Sequence, residues 1–199
     1  MKYFIGFICL LSIMCTDSFA ATNETGKIVN ASFEEGNKLP DGWAPYGDGL
    51  CLTFVWDKTT AHTGTRSVYV SNADRVSSGA WIASCKVKGN TPYRFAVWVK
   101  IKKGKGQGIT LLRARGRASG MDKKWEAGSE SKGADTGGKW QLLEWVFTTP
   151  PGMEELALWL WNVNGFGDQV WFDDVEFAEA AKTNAAARPP ALPAVVKKP

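Results

Sequence analysis

Ten tryptophans and a single histidine bound the chemistry open to this chain. With one imidazole, at His62, a zinc cluster or a histidine-based triad is poorly supplied. Nor do strand-borne carboxylates cluster as paired glycoside-cleaving acids must; Glu154 and Glu155 follow Pro150-Pro151 and read as the solvated start of a strand. Indoles offer flat apolar faces. A pyranose ring carries axial C–H groups on one side, and stacking it on an indole is worth roughly 1–2 kcal/mol from buried area alone. Several such rings, flanked by polar groups that bond the hydroxyls, make a specific site of modest strength.

Strand parity sorts the indoles. In Tyr93–Lys100, Tyr93, Phe95, Val97 and Val99 share one face, and Arg94, Ala96, Trp98 and Lys100 share the other. In Leu156–Val163, Leu156, Leu158 and Leu160 face a core, which turns Trp159 and Trp161 outward together. Trp98, Trp159 and Trp161 are therefore the outward set. A loop, a protein partner or a sugar must cover them. Trp43, Trp140 and Trp171 read as structural, and Trp145, on the parity of Leu143 and Phe147, as core. Trp56 and Trp81 stay ambiguous because their strands are apolar on both faces.

Basic residues crowd one stretch, from Lys100 through Lys105, Arg113, Arg115 and Arg117 to Lys124. Beside outward indoles this stretch favours an anionic glycan, with Arg113 a candidate contact. No nucleic-acid recognition motif accompanies it.

These residues must be carried by short strands. From about Lys27 to Phe177, β-branched and aromatic runs alternate with glycine, asparagine and proline, and helical periodicity is missing. Strands are expected over Leu52–Asp57, Ser67–Ser71, Trp81–Val87, Tyr93–Ile101, Ile109–Arg115, Trp140–Thr148, Leu156–Val163 and Gln169–Phe177. The pattern is all-β, an antiparallel β-sandwich or jelly roll, and its length suits one domain over residues 27–178. Gly116–Gly138, glycine-rich and containing Trp125, reads as a long loop at its edge.

Ahead of the domain, residues 1–20 run from Lys2 through an apolar stretch to Ser18-Phe19-Ala20, the pattern of a signal peptide, with 21–26 a short lead. A secreted protein, extracellular or periplasmic, is expected, without a membrane span and as a monomer. Bulky Met14 disfavours lipid attachment at Cys15. Beyond the signal, Cys51 and Cys85 form an even pair: either a disulfide or two separately buried thiols. Residues 179–199, rich in alanine, proline and lysine, read as a disordered tail.

Asp173 shares parity with Trp171, Val175 and Phe177, which directs its carboxylate toward an apolar interior where an unpaired charge is costly. It needs backbone N–H donors, an arginine or a cation. Turn carbonyls such as those of Thr63-Gly64 beside a carboxylate would suit Ca²⁺.

Several blocks, in order, resemble carbohydrate-binding modules of the family 4, 9 and 22 group. They are Asn30-Ala31-Ser32-Phe33-Glu34-Glu35-Gly36 with Leu39-Pro40-Asp41-Gly42-Trp43, the Ala61–Val68 turn, Tyr93–Lys100, Trp140–Phe147 with Pro150-Pro151, and Trp171-Phe172-Asp173-Asp174-Val175-Glu176-Phe177. The resemblance implies a galactose-binding-like jelly roll, non-catalytic binding of a polysaccharide or oligosaccharide, and a structural calcium. It also implies that first and last strands pair, which would bring Glu34 to Asp173, and that aromatics at Trp81, Trp98, Trp159 and Trp161 touch sugar. The competing class is a protein-binding or envelope-structural module using the same exposed aromatics; a polysaccharide-degrading enzyme is the third.

Overall fold

The computed structural model describes residues 24–49, 51–105, 108–119, 124–129 and 136–180. The expected signal peptide and the expected tail beyond Ala180 lie outside them. The alternating sequence builds ten strands: β1 (Ala44–Asp48), β2 (Leu52–Asp57), β3 (Ser67–Asn72), β4 (Ser78–Lys86), β5 (Pro92–Lys102), β6 (Ile109–Gly116), β7 (Trp125–Gly128), β8 (Trp140–Thr148), β9 (Glu155–Val163) and β10 (Gln169–Glu179). They form two antiparallel sheets, β1-β4-β9-β6-β7 and β2-β3-β10-β5-β8, packed face to face as a β-sandwich. Among the described residues no helix is long and apolar enough to cross a membrane.

All eight expected strands are present. The two others escaped the alternation rule for local reasons. β1 is spelled Ala-Pro-Tyr-Gly-Asp, a turn-like composition that an edge strand tolerates. β7 lies inside the stretch expected to be a loop and pairs with β6 from Arg113↔Gly128 to Gly116↔Trp125.

Inward residues of both sheets fill one core, in which Phe33, Trp81, Tyr93, Phe95, Leu158 and Phe172 are fully buried. Trp81 corrects the expectation of a sugar contact: it is 0% exposed, meets Phe54 edge-on at 5.8 Å and donates its Nε1–H to the Tyr69 carbonyl at 3.0 Å. Its strand is apolar on both faces, and the inward face won the indole. Trp125 also turns inward, packing at 5.7 Å from Phe147.

The disulfide is absent: Cys51 and Cys85 are both free. Cys51 lies immediately before β2, its carbonyl accepting the Ala73 N–H. Cys85 faces the core near the far end of β4. Burial, with the nearby Glu155 charge, pushes its thiol up to about 12. Of the two readings left open, neither is fully right, since only one of the thiols is buried.

One irregularity governs β10. Its register against β5 shifts between Asp173↔Trp98 and Glu176↔Ala96, and Asp174 takes a left-handed φ of 46°. This bulge inserts a residue and reverses the parity. Val170 and Phe172 face inward before it, Val175 and Phe177 after it. Trp171 therefore points outward, against Tyr69 at 4.9 Å, and bonds Asp57 Oδ2 at 2.8 Å. Asp173 is fully buried, but not for the reason parity suggested: it sits opposite outward Trp98 and is covered by the turn at His62 and Thr63.

Candidate functional site

The outer face of the β1-β4-β9-β6-β7 sheet is built by register. Tyr46, Ala80, Trp161 and Leu111 form one row across it; Ala44, Ile82, Trp159, Arg113 and Gly128 the next; Ser84, Ala157, Arg115 and Glu126 the third. Alanine beside the large rings leaves them room to lean along the diagonal. Trp159 meets Tyr46 edge-on at 4.8 Å and Trp161 at 6.0 Å, so three aromatic rings form a continuous platform.

The outward pointing of Trp159 and Trp161 is as parity indicated, but their surroundings are not. Trp159 is only 6% exposed, while Tyr46, unmarked by sequence reasoning, is 49% exposed. Burial leaves the Trp159 Nε1–H without an acceptor. The Arg113 guanidinium lies 3.9 Å from the Trp161 ring centroid, and that of Arg115 lies 5.0 Å from Trp159, geometries of cation–π attraction. Both arginines pair with Glu126, Arg113 at 2.5 Å and Arg115 at 3.0 Å. Burial and the neighbouring Arg115 charge lower the Arg113 pKa against the pull of Glu126. An open cleft of about 450 Å³ runs beside the platform, lined by Tyr46, Trp159, Ala157, Arg115, Arg117 and Lys124.

Trp98 does not belong to this face. It stands on β5 in the other sheet, on that sheet's outer side, and so cannot share a groove with Trp159 and Trp161. His62 stacks on it with ring centroids 4.0 Å apart and planes at 14°, and also approaches Trp140 edge-on at 5.6 Å. His62 Nδ1 contacts Asp174 Oδ2 at 2.6 Å.

The same turn is clasped by two carboxylates. Asp173 Oδ2 accepts the N–H groups of His62 at 2.6 Å and Thr63 at 3.3 Å, and Oδ1 accepts that of Asp174 at 2.8 Å. Burial pushes the Asp173 carboxyl up to about 6 against those bonds, with the Asp174 charge adding to it. Glu34 accepts the N–H groups of Thr65 and Arg66, both at 2.9 Å, and the Thr65 hydroxyl at 2.7 Å. Burial acts to raise its pKa, and the Thr65 and Arg66 bonds outweigh it, leaving the pKa lowered. Backbone donors, one of the alternatives open in the sequence, are thus real partners of Asp173. Among the described residues no three His, Cys, Asp or Glu side chains gather as a metal cluster. First and last strands do not pair, since β1 and β10 lie in different sheets; Glu34 and Asp173 instead grip the same turn. The donor chemistry fits a hard cation: both groups are carboxylates, and among the described residues buried Asp173 has no ion-pair partner to offset its charge.

A family model described as carbohydrate binding domain matches residues 25–162. No curated protein matches the chain by sequence. The fold is similar to the CBM22-1 xylan-binding domain of Paenibacillus barcinonensis Xyn10C, with 18% identity and TM-score 0.56 over 80% of this chain and 100% of that one. It is also similar to the CBM22-1–GH10 modules of Clostridium thermocellum xylanase Xyn10B complexed with xylohexaose, with 18% identity and TM-score 0.56 over 82% of this chain and 30% of that one. Tailspike protein 4 of bacteriophage CBA120 matches with 15% identity and TM-score 0.57 over 78% of this chain. The present chain spans only 21% of that tailspike's length.

Proposed function

Because the chain belongs to the carbohydrate binding domain family, we propose that it binds a polysaccharide or oligosaccharide without cleaving it, by laying sugar rings along the Tyr46–Trp159–Trp161 platform. The observation that carries this reading is the contiguity of three aromatic rings on the outer face of one sheet, with Tyr46 half exposed beside a cleft that carries basic side chains. Sugar C–H faces stack on the rings, and the charged groups lining the cleft bond the hydroxyls. The Trp159 Nε1–H, now without an acceptor, gains one if a ligand oxygen reaches it, recovering the cost of a desolvated donor.

Arg115, Arg117 and Lys124 along the cleft favour an anionic glycan over a neutral one. Arg113 lies beside them, over Trp161. Trp98, shielded by His62 on the other sheet, takes no part. In this reading a structural Ca²⁺ is held by Glu34 and Asp173, supplies positive charge to a buried carboxylate, and braces the His62–Arg66 turn away from the sugar. The protein acts as a monomer outside the cytoplasm, in keeping with the signal-like residues 1–20.

The test is affinity gel electrophoresis against neutral xylan and glucan and against acidic polysaccharides, with wild type and Tyr46→Ala. Retardation by at least one polymer, reduced in the variant, is the expected result. No retardation by any of them, together with a protein captured through the same face, would replace the glycan reading with the protein-interface one.

A further inference from the structure

Glu126 is the one member of the platform that sugar stacking leaves without a task. It stands on the edge strand β7, opposite Arg115 in the register, and each carboxylate oxygen holds a different arginine. Those arginines are the two whose guanidinium groups lie over Trp161 and Trp159. One carboxylate therefore keeps two cations folded down on two indoles. The ring faces that a sugar needs are covered by the protein's own charges.

The balance of charge is uneven, two guanidinium groups against one carboxylate. All three side chains are partly buried, between 25% and 34% exposed, where ion pairs are less screened than on open surface. Guanidinium recognises any carboxylate by the same N–H···O geometry, whether it belongs to the protein or to a ligand.

We propose that Glu126 is a specificity-determining residue that stands in for a ligand carboxylate, so that a uronate-bearing polysaccharide binds by exchanging its own carboxylate for Glu126 on Arg113 and Arg115. The exchange draws the guanidinium groups off the indoles and opens the rings for stacking. A neutral sugar offers the arginines only uncharged hydroxyl acceptors in return and must displace them against the stronger, charge-assisted hold of Glu126. This inference rests on the glycan reading of the platform and adds the chemical class of its ligand.

The experiment compares wild type, Glu126→Gln and Arg115→Ala, as the full chain, by isothermal titration calorimetry. The probes are sodium polygalacturonate and the same polymer fully methyl-esterified, which keeps the sugar rings and removes the charge. Removing the internal competitor is expected to tighten binding of polygalacturonate by roughly tenfold, the scale of one charge-assisted contact. The gain is absent on the esterified polymer and shrinks with added salt, and Arg115→Ala weakens the charged polymer selectively. Thermal melting confirms that each variant folds, and Glu126→Ala is a second probe if the glutamine variant does not. An equal gain on both polymers, or none on the charged one, overturns the inference. Wild-type binding to neutral xylan or glucan, with neither form of polygalacturonate bound, overturns it while leaving the glycan reading intact. Failure of every polysaccharide overturns both.

Discussion

Tyr46 on an edge strand meets Trp159 on the central strand of its sheet edge-on, ring centroids 4.8 Å apart. The two rings divide the work unequally, because Tyr46 is half exposed and Trp159 almost wholly covered. Tyr46→Ala should weaken glycan binding about tenfold, the worth of roughly 1–2 kcal/mol of stacking area, with little change in stability. Trp159→Ala should destabilise the fold by about 3–5 kcal/mol as well as abolish binding. Urea denaturation beside calorimetric titration separates the two effects.

Trp98 makes the opposite prediction. Since it lies on the other sheet under His62, Trp98→Ala should cost stability, about 2–4 kcal/mol for a half-buried indole, and leave platform affinity unchanged. An affinity loss in a well-folded Trp98→Ala protein would show that sugar reaches both faces.

How much of this was legible in the chain follows from particular residues. The parity of Leu156, Leu158 and Leu160 pointed Trp159 and Trp161 outward, and register then put them on one face. Parity gives a direction relative to a strand, however, and not which sheet the strand joins, so it groups Trp98 with indoles on the far side of the sandwich. Tyr46 was hidden because its strand is spelled in turn residues. An unbroken alternation buries Asp173 in the core, but Asp174 breaks that alternation; only the backbone bulge reveals that a turn, more than a hundred residues earlier, is what covers it. Glu126 carried no signal, since its role exists only through the pairing of β7 with β6.

The calcium reading is tested on Asp173. Added Ca²⁺ should raise the melting temperature of wild type by several degrees, and chelator should reverse it, as expected for a ligand that binds only the folded state. Asp173→Asn keeps a side-chain oxygen for the turn N–H groups but removes the charge, and its calcium response should vanish. An unchanged response would assign Asp173 to turn bracing alone.

Asp57 sets a dependence on acid. Burial raises its pKa, but the Thr59 hydroxyl and N–H, the Trp171 indole and the Thr60 N–H outweigh it, holding the carboxyl below 3.8. The folded state therefore binds the proton more weakly than the unfolded one. Its stabilisation is complete above the unfolded pKa and is lost as pH falls through the folded one. Asp57→Asn should lower stability at neutral pH and flatten the acid limb of a denaturation profile taken from about pH 6 to pH 2.5.

The two free thiols should differ sharply in reactivity. Cys51 is exposed, although a hydrogen bond to Asp74 holds its pKa above the ordinary value; Cys85 is sealed in the core. Peptide mapping after brief alkylation should find Cys51 modified in the native protein and Cys85 only in denaturant. Asp74→Asn should speed the native reaction by increasing the thiolate fraction.

The order β2-β3-β10-β5-β8 places the last strand in chain order at the centre of its sheet. Until β10 arrives, β2-β3 and β5-β8 are separate strand pairs with no common partner in this sheet, and a two-stranded unit is barely stable by itself. The closing step joins segments about a hundred residues apart, so assembly is governed by slow, non-local pairing. A chain short of β10 lacks the strand that joins the two halves of this sheet, and the sandwich is complete only when its final strand has paired.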